Sequence, residues 1–398
     1  MRTKLCDEFG IDVPIFAFSH CRDVVAAVTN AGGMGVLGAL AFSPEQLDVE
    51  LKWIDEHVDG KPYGVDIVMP MNYEGKSDGL GKADEKTGEV DSAVFKDLIP
   101  KEVTEWIEGV LDEYDVPPLD PDQQAAAEGI GGGGSGGLLG WTDGGARNQL
   151  EVAFKYPVKL LVNALGPPPK DVVDQAHSRG IKVAALTGAV EHALKQQEQG
   201  VDIIIAQGTE AGGHTGEIGS MVLIPDIVDA VSPTPVLGAG GIGSGRQAAA
   251  ALALGAQGIW TGSIWLTVEE SEMTGGPIME KLLAAKPRDA VRSKTLSGKP
   301  ARLLKTAWTE AWLRDDCPGT LPMPLQYMAC AEAQTRISLA ARDPKSRARE
   351  LVGMPVGQIV GRMNEVKKSS EVIYELIEEF VDTVQRLDGL LEAAENKG

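Results

Sequence analysis

Eight short apolar runs, each followed by a helical or glycine-rich stretch, constrain this 398-residue chain more than any other feature. They are Pro14–Phe18, Met34–Gly38, Gly64–Met69, Val158–Val162, Ile181–Leu186, Val201–Ala206, Pro235–Gly238 and Gln257–Trp260. Each is continuously apolar rather than alternating, as parallel strands covered on both faces should be. Helical patterns lie between them, among them Arg22–Asn30, Pro44–His57, Asp171–Ser178, Val190–Gln199 and Arg246–Leu254. About eight strand–helix units in succession predict an α/β chain closed into a (β/α)8 TIM barrel. A doubly wound open sheet is the alternative, because periodicity does not distinguish closure from openness. With 43% hydrophobic and 24% charged residues, the chain has the apolar material for one large core.

Two regions break the rhythm. Residues 73–148 are too long for one crossover and form an insertion after the third strand, leaving 1–72 and 149–270 as the barrel. The insertion holds a charged segment (Lys76–Asp91), a helix expected over Asp97–Asp112, an acidic Pro-rich stretch and the run Gly129–Gly137. That glycine run lacks the Gly-Lys-Ser/Thr ending of a phosphate loop and follows no strand, so it reads as a connector within a lid or mobile insertion. Residues 271–398 are expected to be a helical segment packed on the barrel, with helices over Ile278–Lys286, Ala301–Leu313, Leu325–Ala341 and Glu371–Ala394. The last carries Ile373, Leu376, Ile377, Phe380, Val381, Val384 and Leu387 at helical spacing. Packing against the domain is the simplest use of that stripe, and a coiled-coil homodimer is the alternative.

A formal charge of −21, about half of it in the insertion, excludes a nucleic-acid partner and disfavours an anionic membrane. Four cysteines without a CxxC pair suggest neither a zinc site nor a redox dithiol, and no other metal motif is present. The N-terminus lacks the apolar core of a signal peptide, and no apolar run reaches the roughly 20 residues that span a bilayer. A cytoplasmic protein is expected.

Loops after the strands of such a barrel converge on one mouth, so chemistry is sought there. The run LGAGGIGSGR (Leu237–Arg246) follows the seventh strand and opens a helix, offering close backbone approach and free helix-start amides to an anion. Trp260-Thr261-Gly262-Ser263 follows the eighth strand, and the pair matches a mononucleotide phosphate site. Gly238–Gly243 formally contains GxGxxG. The acidic residue required about twenty positions later is absent, which rejects a dinucleotide fingerprint. After the sixth strand comes AQGTEAGGHTG (Ala206–Gly216), where the Gln207 amide suits the edge of a heterocycle. Gly208, Gly212, Gly213 and Gly216 would let backbone pass a flat ligand, and Glu210 stands four residues before His214. His214 is the candidate catalytic residue, since His57, His177 and His192 fall on amphipathic helices. His20, just past the first strand, is a further polar group at the mouth.

With these residues in place, the chain resembles the nitronate monooxygenase family, formerly 2-nitropropane dioxygenases. The resemblance is carried by Ala206–Gly219, Val236–Ile242 and Gly258–Ser263, joined by Val24–Ala39, Arg302–Trp308 and Gly357–Gly361. It implies an FMN-bound barrel that oxidises alkyl nitronates, such as propionate 3-nitronate, with O2 to a carbonyl compound and nitrite. It also implies that Gln207, Gly208, Gly212 and Gly213 contact the flavin, while Gly240, Gly241, Trp260, Thr261, Gly262 and Ser263 hold its phosphate end. His214 would then bind a nitronate or deprotonate a neutral nitroalkane. Two departures from the family pattern bear on the flavin. Ala17-Phe18-Ser19-His20 stands in place of an Ala-Pro-Met-Gly loop, so Ala17 and Phe18 would flank the ring. Asp66 stands where many relatives have asparagine, and a carboxylate there accepts but does not donate unless protonated. Two other readings remain at this stage. One is an NAD(P)H-dependent FMN reductase of quinones or enoyl thioesters; the other is a flavin-binding protein whose insertion recruits a partner.

Overall fold

The computed structural model describes residues 1–69, 95, 97–121, 123 and 143–395. The segments Lys76–Asp91 and Gly129–Gly137 lie outside the described residues, and so does any lid they would form. Eleven strands are described. Eight of them, β1 (Ile15–Ser19), β2 (Met34–Gly38), β3 (Gly64–Asp66), β4 (Leu160–Asn163), β5 (Lys182–Thr187), β6 (Ile203–Gln207), β8 (Val236–Ala239) and β9 (Gly258–Thr261), form a closed parallel barrel. Pairing of β1 with β9, Phe16 opposite Trp260, closes the ring. The expected TIM barrel is what the chain forms, and the open-sheet alternative falls.

Several strands begin one or two residues after their apolar run does. Ile181 and Val201 explain why. Each follows a left-handed glycine, Gly180 or Gly200, and its amide bonds back to the helix just ended, to the carbonyls of Ala176 and Gln196. The first apolar residue therefore belongs to a helix-ending turn rather than to the ladder.

Alternation along the strands splits the apolar residues into two cores. Phe16, Val36, Val162, Leu186, Ile205, Ala239 and Trp260 fill the barrel interior. Ile15, Leu37, Val65, Leu161, Ile204 and Ile259 face the surrounding helices. The helix Lys4–Phe9 adds Leu5, Cys6 and Phe9 to the inner core and plugs the end where the strands start. The opposite, C-terminal end is left for the loops.

The C-terminal segment is not purely helical. Ala301–Leu313, expected as one helix, divides into β11 (Ala301–Leu304) and a helix Ala307–Ala311. β11 pairs antiparallel with β10 (Ala290–Ser293) on one side and with β7 (Gly213–His214) on the other. Residues with good helix propensity are here held extended by the strands they meet, a tertiary override of local preference. The helix of the insertion, Lys101–Glu113, packs Val103, Ile107, Val110 and Leu111 against Trp308, Trp312 and Ile337. Arg336, from the helix Leu325–Ala340, locks it down: its guanidinium donates to Glu108 at 2.8 and 2.9 Å and to the carbonyls of Val116 and Pro117.

The last helix, Ser369–Glu395, buries Ile373 and Leu376 on the helix Gly245–Ala253. The contact is close enough that a Cβ on Gly245 would sit 2.3 Å from the Leu376 carbonyl oxygen. Its distal half leaves Val381, Val384 and Leu387 exposed at 40–45%. The stripe read from the sequence is thus only half covered. Among the described residues no helix is long and apolar enough to cross a membrane.

Candidate active site

The strand ends place three expected groups on the inner wall of the mouth. Gln207 ends β6 two residues after the inward Ile205, and Asp66 ends β3 next to the outward Val65. Phe18 packs on the inner core, its ring 6.0 Å from that of Trp260. His20 stands beside it, edge-on to Phe18 at 5.1 Å, with Nδ1 2.8 Å from the Gly38 carbonyl oxygen. Ala17 and Thr261 are placed differently. Ala17 faces the helices, and Thr261 donates to the Phe16 carbonyl and accepts from the Trp265 indole. Only their main chain is available at the mouth.

The glycines of the sixth loop serve the protein first. A Cβ on Gly208 would meet the Glu210 carboxylate and Ser220, and one on Gly212 would lie 2.8 Å from the Gly357 nitrogen. On the Cβ side of these two residues, backbone and side chains of the protein already fill the space. Gly213, at φ +75°, has nothing within 4 Å of the Cβ position, and Gly262 has only the edge of Phe18 at 3.8 Å. Those two open positions suit a flat group. Glu210 does not address His214: its carboxylate accepts from the amide and hydroxyl of Ser220, fastening the loop to the helix Ser220–Val231.

The two loops after β8 and β9 divide their amides between protein and mouth. The start of the helix Gly245–Ala253 was expected to offer free donors, but the Gly245 amide is taken by Glu379 Oε2 at 2.9 Å. Gln247 Oε1 accepts from the Gly243 amide at 3.0 Å, and the Ser244 hydroxyl accepts from the Gln247 amide. A carboxylate already occupies that positive helix end. By contrast, the amides of Gly240, Gly241, Gly262 and Ser263 make no hydrogen bond to the described residues. Gly240 and Gly241 both have positive φ, a backbone course that glycine allows without strain.

His214 lies across from these loops on β7, held by the C-terminal hairpin. Ala301 is its ladder partner, and its Nε2 is 2.6 Å from the Ser297 hydroxyl, a fully buried group. Arg302 ties the same loop by donating to the Thr209 carbonyl at 2.9 Å and the Ala290 carbonyl at 2.7 Å. Burial, reinforced by the nearby charge of Lys299, lowers the His214 pKa to about 4. The ring is therefore neutral over the physiological range and accepts or donates a hydrogen bond without charge. Ser297, Lys299 and Arg302 complete the site and were not picked out from the sequence. The turn Ser297-Gly298-Lys299-Pro300 immediately before Arg302 was the available signal.

A separate cavity of about 470 Å³ lies beyond this turn, lined by Thr295, Leu296, Leu303, Trp308, Tyr327 and Cys330. It contains neither His214 nor the glycine loops.

Comparison with known proteins follows this geometry. The sequence profile of the nitronate monooxygenase family matches residues 122–379. A Mycobacterium tuberculosis protein with only a provisional description as a monooxygenase is 49% identical, covering 98% of this chain and all of its own length. A Bacillus subtilis protein described as "Probable nitronate monooxygenase" is 29% identical, over 79% of this chain and 81% of its own. Among solved structures, nitroalkane oxidase from Streptomyces ansochromogenes superposes with a TM-score of 0.73 at 24% identity, covering 96% of this chain and 99% of that one. FabK from Thermotoga maritima gives 0.69 at 24%, covering 98% and 99%. At that identity the two structures bear on the fold alone.

Proposed function

Because the chain belongs to the nitronate monooxygenase family, and so is an oxidoreductase, we propose that it binds FMN at the barrel mouth and oxidises alkyl nitronates with O2. The products are a carbonyl compound and nitrite, with propionate 3-nitronate as a representative substrate. The observation that carries this reading is the pairing of a neutral, half-buried His214 with uncommitted amides on two consecutive strand-end loops. The residues present fit the cofactor. The amides of Gly240, Gly241, Gly262 and Ser263 would receive the phosphate, and Phe18, Asp66 and Gln207 would border the ring, with Gly213 leaving space above it. FMN, when bound, supplies the electron-transfer chemistry, and the protein supplies orientation and access.

His214, oriented by Ser297, would donate a hydrogen bond to the anionic nitro group of a bound nitronate and so orient it. Lys299 adds positive charge behind it, which favours an anion over a neutral substrate. Anaerobic mixing of FMN-loaded protein with propionate 3-nitronate is expected to bleach the flavin without a nicotinamide. Bleaching by NADH or NADPH alone would replace this reading with the reductase one. The exposed stripe Val381, Val384 and Leu387 is the face on which a homodimer would form, and light scattering of a Val384→Lys variant tests it.

A further inference from the structure

The cavity of about 470 Å³ shares a wall with the seat of His214. Thr295 and Leu296 line it, and Ser297, the next residue, places its hydroxyl 2.6 Å from His214 Nε2. The helix Leu325–Ala340 starts at the same turn, where Gln326 Nε2 donates to the Thr295 carbonyl at 3.3 Å. From there the cavity follows one face of the helix, from Tyr327 past Ala331 and Thr335 to Ser338, a run of about 16 Å. Tyr327 also packs on the cluster of Val68 and Phe95, together with Leu40. Leu40 and Val68 stand just past the ends of β2 and β3, at the barrel mouth. The inner end of the cavity is thus bounded by the His214 turn and, through Tyr327, by strand ends of the mouth. Its outer end is exposed, at Ser338 and Arg342.

The wall is chemically quiet. Leu296, Leu303, Trp308, Leu351 and Met354 give it an apolar surface. The hydroxyls that line it are already engaged within the protein: Thr295 with Ser293, Thr306 and Thr309 with each other's backbone, and Thr335 with the Ala331 carbonyl. Cys330 is 3% exposed, and burial raises its pKa, so it lines the wall as a neutral thiol. The only charged side chain in the lining is Arg342, at the exposed end. A largely apolar pocket of this size is the ordinary form of a small-molecule site. We propose, resting on the reading that nitronates are oxidised at the mouth, that this cavity receives an uncharged hydrocarbon tail of the substrate, which makes medium-chain alkyl nitronates better substrates than propionate 3-nitronate. At roughly 30 Å³ for a water-sized group, the space holds on the order of ten carbon atoms with room to spare. The carboxylate of propionate 3-nitronate would enter among Leu296 and Tyr327, where the lining supplies no cation and desolvation works against it.

The test is a homologous series, the nitronates of nitropropane, nitrohexane and nitrooctane, oxidised by the FMN-loaded full chain. KM is expected to fall about twofold per added methylene, roughly thirtyfold across the series, less than full burial would bring because the outer end is open. A tail binds alike in the ground and transition states, so kcat should change little. The nitrohexane nitronate should also show a lower KM than propionate 3-nitronate. Ala331→Phe fills the inner part of the cavity and should flatten the series. Ser338→Trp narrows the outer part from an exposed position and should weaken the nitrooctane nitronate most; it keeps the test if Ala331→Phe does not fold. Calorimetry of the flavin-stripped full chain, where no nitronate is consumed, should show the same ratio of affinities and the same loss in Ala331→Phe. A flat wild-type series with turnover intact, or a slope kept in both variants, overturns the role of the cavity and leaves the nitronate reading standing. Absence of oxidation at every chain length overturns the nitronate reading and this inference together.

Discussion

At the scale of single residues, the behaviour of His214 follows from its surroundings. A histidine with a pKa near 4 is a weak base, poorly matched to removing a proton from carbon at neutral pH. Its neutral ring, fixed by Ser297, suits hydrogen bonding to a substrate that arrives already ionised. The pH profile of kcat/KM for a nitronate should therefore show no inflection near 6.5, and protonation of His214 should appear only as pH falls toward 4. An inflection at 6.5 that disappears in His214→Asn would show the group to be a normal, basic histidine. Ser297→Ala should reduce kcat/KM roughly tenfold with the melting temperature little changed, since one orienting hydrogen bond is lost. The address of His214 was legible in the sequence, because a histidine among glycines after a strand stands out. Its neighbours were not: Ser297 and Lys299 lie more than eighty positions away in a turn with no periodic signature. Glu210, adjacent in sequence, is turned away to Ser220.

Among the elements, continuous apolar runs made the eight barrel strands readable as strands buried on both faces, while closure into a ring rests on the pairing of β1 with β9. The C-terminal hairpin was hidden for the opposite reason. Ala-Arg-Leu-Leu at 301–304 has helical character, and its pairing with Ala290–Ser293 on one side and Gly213–His214 on the other makes it a strand. The helix Lys101–Glu113 was legible, but its docking was not, because the arginines that hold it, Arg336, Arg314 and Arg347, lie about two hundred residues or more away. Arg336 is 5% exposed and donates to Glu108 and two carbonyls, so its loss leaves buried acceptors unpaired. Arg336→Ala should cost about 2–4 kcal/mol. Limited proteolysis should then cut within 101–121 faster than in the wild type, and equal cutting rates would show the helix to be held without Arg336.

For the whole molecule, the formal charge of −21 is a self-repulsion that salt relieves. The melting temperature is expected to rise by a few degrees between 20 and 300 mM sodium chloride, measured at pH 7.5. A fall would mean that pairs such as Arg147–Asp171 and Arg314–Glu113 outweigh the excess of like charge.

Barrel closure between β1 and β9 also sets a timetable. Residues 15–19 leave the ribosome well before residues 258–261, an interval of roughly ten to fifty seconds at ordinary rates of synthesis. Throughout it, the Ile-Phe-Ala-Phe edge of β1 has one neighbour and one open side, and the nascent protein is a growing sheet rather than a ring. His214 waits longer still, since the strand that seats it, Ala301–Leu304, is made after every barrel strand. The unfinished chain thus carries an exposed, sticky edge but no assembled chemistry.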